Sequence, residues 1–195
     1  MLFENLIQNV KLFSANPLLD DIVGLQRLLR DKEIEHWLNE TLFSFNWWLL
    51  LITTIAIFIL WIIILDKNRI IEIAGFGLLV GTVAFILDTT GASLVLWTYP
   101  DKLIPMMLPI VEIHKVHLPI IYMIIYQYFQ TWKSYMITLI ITSTVFTFVL
   151  EPLTVWLGIY KVHHWKHIYS LPIYIFIGWI LRWVLIKVKQ IEKKQ

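Results

Sequence analysis

The chain alternates between long apolar runs and short polar breaks. Asn46–Leu65 reads NWWLLLITTIAIFILWIIIL and carries no charged residue. An α-helix of about 20 such residues crosses the hydrocarbon core of a bilayer. The pattern predicts an all-α integral membrane protein with five transmembrane helices, at about 46–65, 70–97, 108–129, 135–157 and 168–188. Trp47, Trp48 and Trp61 mark the ends of the first span as interfacial anchors. The breaks are Asp66–Arg69, a connection bearing Pro100, Pro105 and Pro109, the polar turn Gln130–Ser134, and KVHHWKH at 161–167. Gly77 and Gly81 are four residues apart on the second span, a spacing that allows close contact with a neighbouring helix.

Residues 1–40 form a separate region before the membrane domain, 41–195. Leu2, Phe3, Leu6, Ile7 and Val10 recur at helical spacing, and Asn16-Pro17 reads as an N-cap followed by a first-turn proline. Leu18, Leu19, Ile22, Leu25, Leu28 and Leu29 form an apolar stripe opposite Asp21, Arg27, Arg30 and Glu33. Neither part is long or apolar enough to span a bilayer. Both are expected to be amphipathic helices at the membrane surface or, by preference, packed on the protein's own body.

Five spans put the termini on opposite sides. Near the C-terminal side lie Lys67, Arg69, Lys133, Lys187, Lys189, Lys193 and Lys194. The other side has Arg27, Arg30, Lys32, Lys102, Lys115, Lys161 and Lys166. The distribution predicts a multi-pass cell-membrane protein with a cytoplasmic C-terminus. The first residues lack a basic segment and a continuous apolar core, so no cleavable signal peptide is expected. Of the 195 residues 58% are hydrophobic and none is cysteine, which excludes a disulfide framework, a thiolate nucleophile and a Cys-ligated metal. The net charge of +2, with no basic stripe, excludes nucleic acid as a partner; membrane lipid is the partner expected.

Two stretches echo one another. FILD at 85–88 matches FVLE at 148–151, an offset of 63. Gly91, Trp97 and Tyr99 follow the first acid; Trp156, Gly158 and Tyr160 follow the second. Each copy then reaches a Leu-Pro-Ile, at 108–110 and 171–173. Spans two and three therefore read as a parallel repeat of spans four and five, which brings Asp88 and Glu151 to one depth on one face.

An acid at membrane depth is costly and needs a partner or a purpose. Asp88 and Glu151 read either as helix-end carboxylates bonded to nearby Trp, Tyr or Thr, or as interior acids tuned for proton donation. Glu112 opens the third span beside His114 and His117, which share a helix face. His163, His164 and His167 have the spacing of a weak metal site but sit beside Trp165 as interfacial residues, and no metal is expected. There is no aspartate-rich pair, no GxSxG and no phosphate-binding glycine loop, so a hydrolase or ATPase is unsupported and no cofactor is implied.

These pieces resemble the membrane lycopene cyclases of the small heterodimeric or fused type and related carotenoid-biosynthesis membrane proteins. The shared elements are Asp88, Trp97-Thr98-Tyr99 and Leu108-Pro109-Ile110-Val111-Glu112, then Glu151-Pro152, Gly158-Ile159-Tyr160 and Leu171-Pro172-Ile173. The cyclases have a paired acid after Pro-Ile; this chain has one displaced acid, Glu112, and Tyr174 in the second copy. The resemblance implies that Glu112, Glu151 or Asp88 protonates an isoprenoid alkene. Trp97, Tyr99, Trp156 and Tyr160 would then bind the substrate and stabilise its carbocation. The whole chain also resembles a family of small multi-spanning membrane proteins of spore-forming Gram-positive bacteria, which implies no activity. Three functions follow: a polytopic protein with a polar cluster near one membrane face, an acid-initiated isoprenoid- or lipid-modifying enzyme of cyclase or hydratase type, or a small proton-coupled carrier working as a homo-oligomer.

Overall fold

A computed structural model describes residues 17–105 and 113–192. The expected helix over residues 2–10, the Asn16 cap and Glu112 lie outside the described residues. The described residues are all-α apart from one short ribbon. Helix α1 spans Pro17–His36 and runs into a π-helical turn, Trp37–Thr41. Helix α2 spans Phe45–Ile64, with Ser44 capping it by accepting from the Trp47 N–H. A turn at Lys67–Arg69 leads into α3, Ile70–Ser93. Helix α4 spans Ile113–Tyr128. Helix α5, Trp132–Val145, passes through a π-helical turn, Phe146–Leu150, into α6, Glu151–Trp156. A turn at His167–Tyr169 precedes α7, Ser170–Glu192. Strands β1 (Trp97–Thr98) and β2 (Lys161–Val162) pair antiparallel, Trp97 opposite Val162 and Thr98 opposite Lys161.

Four helical segments are long and apolar enough to cross a membrane: Phe45–Ile64, Lys67–Ser93, Trp132–Trp156 and His167–Ile191. Their outer faces are apolar. On α2, Ile52, Ile55, Phe58, Ile59, Ile62 and Ile63 are exposed and only Leu50 is buried. In water those faces would oppose folding; in a bilayer they meet a matched solvent.

The shorter helix α4 is the core of the bundle. Leu118, Ile120, Tyr122, Met123, Ile125 and Tyr126 are buried around it against Ile73, Phe76 and Val80 of α3, Tyr135 and Leu139 of α5, and Ile177 and Leu181 of α7. Helix α3 lies close on α4 at the glycine pair anticipated from sequence. A Cβ at Gly77 would collide with the Met123 thioether, and one at Gly81 would touch Pro119 at 3.5 Å. Gln127 ties the end of α4 to the end of α2: its Nε2 donates to the Ile64 carbonyl at 2.7 Å, and its Oε1 accepts from the Asp66 N–H at 3.0 Å.

Helix α1 departs from the preferred packing on the body, and one span boundary is corrected. Helix α1 has no buried residue, and its leucine stripe is exposed. Among the described residues, contacts with the body come from its last turn and the turn that follows, where Lys102 pairs with Glu33 at 3.2 Å and Trp37 Nε1 donates to the Lys102 carbonyl at 2.9 Å. The second span ends at Ser93, not 97. The amides of Leu94, Val95 and Leu96 bond back to Thr90, Ala92 and Gly91, and Val95 adopts φ 55°. That left-handed residue turns the chain out of the helix, so Trp97 leaves as a strand. The same cap recurs 63 residues on: Leu157, Gly158 and Ile159 bond back to Leu153, Val155 and Thr154, with Gly158 at φ 79°.

Candidate functional site

Asp88 and Glu151 line one cleft, of about 80 Å³, between the last turns of α3, the start of α6 and the first turns of α7. Each carboxylate has its own donors. Asp88 Oδ1 accepts from Trp97 Nε1 at 3.2 Å and from the Tyr99 hydroxyl. Glu151, 2% exposed, accepts from the Tyr174 hydroxyl at 2.7 Å, and His167 Nδ1 lies 2.7 Å from its other oxygen. The indole N–H can only donate, so the Asp88 oxygen it meets is an acceptor.

Local structure explains both placements. Gly91 stands against the Trp97 ring, and a Cβ there would occupy the ring's space, so only glycine lets the indole fold back to Asp88. The π-helical turn at 146–150 immediately precedes Glu151, and Pro152 follows it. Such turns re-aim side chains and concentrate at functional sites. The β1–β2 pairing brings the two loops over the same cleft.

The walls are aromatic. Tyr99 and Tyr160 meet at a tilt with centroids 5.3 Å apart, Trp97 meets Trp165 edge-on at 5.1 Å, and Trp165 Nε1 donates to Ser170 Oγ at 3.0 Å. The Tyr160 hydroxyl has its pKa pushed well up, first by burial and then by the Glu151 and Asp88 charges, so it remains a phenol. Apolar residues complete the lining, from Leu118 and Ile177 inside to Leu87 at the exposed face of α3. Tyr99 also lines a second, outer cleft with Lys32, Glu33, His36, Trp37 and Lys102.

The structure therefore gathers Asp88, Glu151, Trp97, Tyr99 and Tyr160. It does not bring in Trp156, which is 80% exposed and points away as the last residue of α6. Glu112 lies outside the described residues, and its neighbour on α4, His117, is buried but does not line the cleft. The three histidines of 163–167 do not converge: His163 Nε2 meets Thr98 Oγ1 at 3.0 Å, whereas His167 turns to Glu151. Among the described residues no group of three or more His, Cys, Asp or Glu is placed to hold a metal. Sequence reasoning missed His167 as the partner of Glu151, and it missed Trp165 and Ser170. Their link to the acid is made by the fold of the 157–169 connection, not by any helical spacing.

Chemically, the site is a pair of carboxylates fixed as acceptors inside a ring of aromatic faces. Carboxylates and ring faces both attract positive charge. Compared with known proteins, the chain matches no family model, no curated protein and no solved structure.

Proposed function

We propose that the chain is a multi-pass membrane protein of five spans (α2, α3, α4, α5–α6 and α7) whose cleft binds a lipophilic organic cation and carries it in exchange for protons. The observation that carries this reading is the donor-fixed pair Asp88 and Glu151 walled by Trp97, Tyr99, Tyr160, Trp165 and Tyr174. One set of acceptor oxygens can hold either the cation or protons, which makes their binding competitive.

The parallel repeat supports it. The acids, the helix ends Ser93 and Trp156, the left-handed residues Val95 and Gly158, and the two Leu-Pro-Ile elements all recur at the offset of 63. At that offset Thr98 corresponds to Lys161, and these two residues face each other in the ribbon. A pseudo-two-fold axis through that pair would make the cleft the interface between copies, where carriers built from repeats place their sites. The five-span count is supported by α4, whose 16 described residues rise about 24 Å. Lys67, Arg69, Lys133, Lys187 and Lys189 lie on the end where α7 finishes, which supports a cytoplasmic C-terminus.

An acid-initiated isoprenoid reaction asks for a proton on Asp88 or Glu151. Here Trp97, Tyr99 and Tyr174 donate to these acids, so each presents acceptor oxygen to the cleft; that supports holding a cation, with protonation as the competing state of the carrier. The test is uptake of tetraphenylphosphonium into proteoliposomes under an outwardly directed proton gradient (internal acid). Saturable uptake that is lost in a folded Asp88→Asn/Glu151→Gln variant is expected. Absence of uptake by the native chain, or equal uptake by the variant, overturns the reading.

A further inference from the structure

We infer that the end of the bundle opposite the cleft binds an anionic lipid headgroup, through its phosphate, between the start of α3 and the end of α7. The inference is independent of the cleft. Glu72, in the first turn of α3, accepts from Arg69 Nη2 at 3.0 Å, from Lys189 Nζ at 2.8 Å and from the Tyr126 hydroxyl. One carboxylate thus holds two cations side by side. A third cation, Arg182, lies two turns before Lys189 on α7 and is 4% exposed.

Arg182 has no carboxylate partner among the described residues. Its guanidinium stacks over Tyr135 at 4.1 Å and Trp132 at 5.0 Å, and it donates to the Phe129 and Gln130 carbonyls. Its buried Nε has no acceptor among the described residues. Arg182 and Arg69 each lie 5.8 Å from the same Tyr126 ring, so the two guanidiniums flank one aromatic side chain. Arg69 and Lys189 share Glu72, and Arg182 stands across Tyr126 from Arg69, so three cations outnumber the two acids near them, Glu72 and Asp66, where the bundle meets the headgroups. Fixed cations at a membrane face draw a counter-anion, and anionic lipid supplies it at high local concentration.

The surroundings select a lipid over a free anion. Arg69 and Lys189 are half-buried, and Lys189 uses one of its three N–H donors on Glu72. Beside them Ile71, Val188 and Ile191 are exposed and apolar, which suits acyl chains running from a headgroup held at Arg69 and Lys189.

The experiment is native mass spectrometry of the delipidated full chain titrated with phosphatidylglycerol or phosphatidylcholine, paired with thermal unfolding. Phosphatidylglycerol is expected to bind at least about tenfold more tightly and to raise Tm. Arg69→Gln/Lys189→Gln removes the preference. Lys189→Gln alone leaves the Arg69–Glu72 pair in place and weakens the preference in a chain that still folds. Lys187→Gln, outside the cluster, keeps it. Equal binding of the two lipids, or a preference that survives in the double variant, overturns the site. Equal stabilisation by inorganic phosphate overturns the lipid as its occupant.

Discussion

Replacing Glu151 with glutamine removes one charge from the cleft and keeps its shape. The Tyr174 hydroxyl, 2.7 Å away, can still donate to the amide oxygen, whereas His167 Nδ1 at 2.7 Å exchanges a charged partner for a neutral one. A hydrogen bond to a charged group contributes about 1.5–3 kcal/mol and a neutral one about 0.5–1.5, so the fold should lose only about 1 kcal/mol. Binding should lose more. Two unit charges about 4 Å apart attract by about 4 kcal/mol at an effective dielectric of about 20, and desolvation of the cation offsets part of that. A net loss of about 1.5–3 kcal/mol corresponds to affinity weaker by about 10- to 100-fold. The assay is titration of purified protein in nanodiscs with tetraphenylphosphonium, read by quenching of tryptophan fluorescence, with Tm measured on the same samples. Glu151→Leu serves as the contrast. It leaves the Tyr174 and His167 donors without their acceptor, at about 1–3 kcal/mol each, and should lower Tm sharply. If Glu151→Gln folds and binds as the native chain does, Glu151 takes no part in holding a cation and the reasoning fails.

Other consequences follow from the same geometry. Trp97→Ala should weaken cation binding about tenfold by removing a ring face and an Asp88 donor, while Trp156→Ala changes neither binding nor, beyond about 0.5 kcal/mol, stability; parallel titrations and melts compare them. Gly91→Val places a side chain in the Trp97 ring's space, so it should cost about 1–3 kcal/mol and shift the tryptophan emission. Gly158→Val forces a β-branched residue to φ 79° and should destabilise by about 1–3 kcal/mol, whereas Val95→Gly relieves the same strain at φ 55° and should raise Tm or leave it unchanged.

The spans were legible because apolar length is a one-dimensional signal. Phe45–Ile64 and Ile70–Ser93 begin within a residue of expectation. The end at Ser93 was hidden because the turn residue is Val95, and sequence offers glycine as the sign of a left-handed cap; the equivalent Gly158 gives that sign in the second copy. The pairing of Asp88 with Trp97 and Tyr99 was readable from proximity along the chain. His167 and Glu151 are 16 residues apart across a connection whose path depends on the ribbon with β1, so no local rule joins them. Trp156 misled because its place in the motif matched while the last turn of α6 carries it outward. The amphipathic pattern of α1 was clear, but a stripe of leucines does not say whether protein or membrane lies beneath it.

The central claim is that the cleft selects positive charge. Equilibrium binding of tetraphenylphosphonium and of the size-matched anion tetraphenylborate to the native chain in nanodiscs of neutral lipid tests it most directly. The account predicts saturable binding of the cation to one site per chain, competed by protons and absent for the anion; equal affinity for both ions, or tighter binding of the borate, would contradict it.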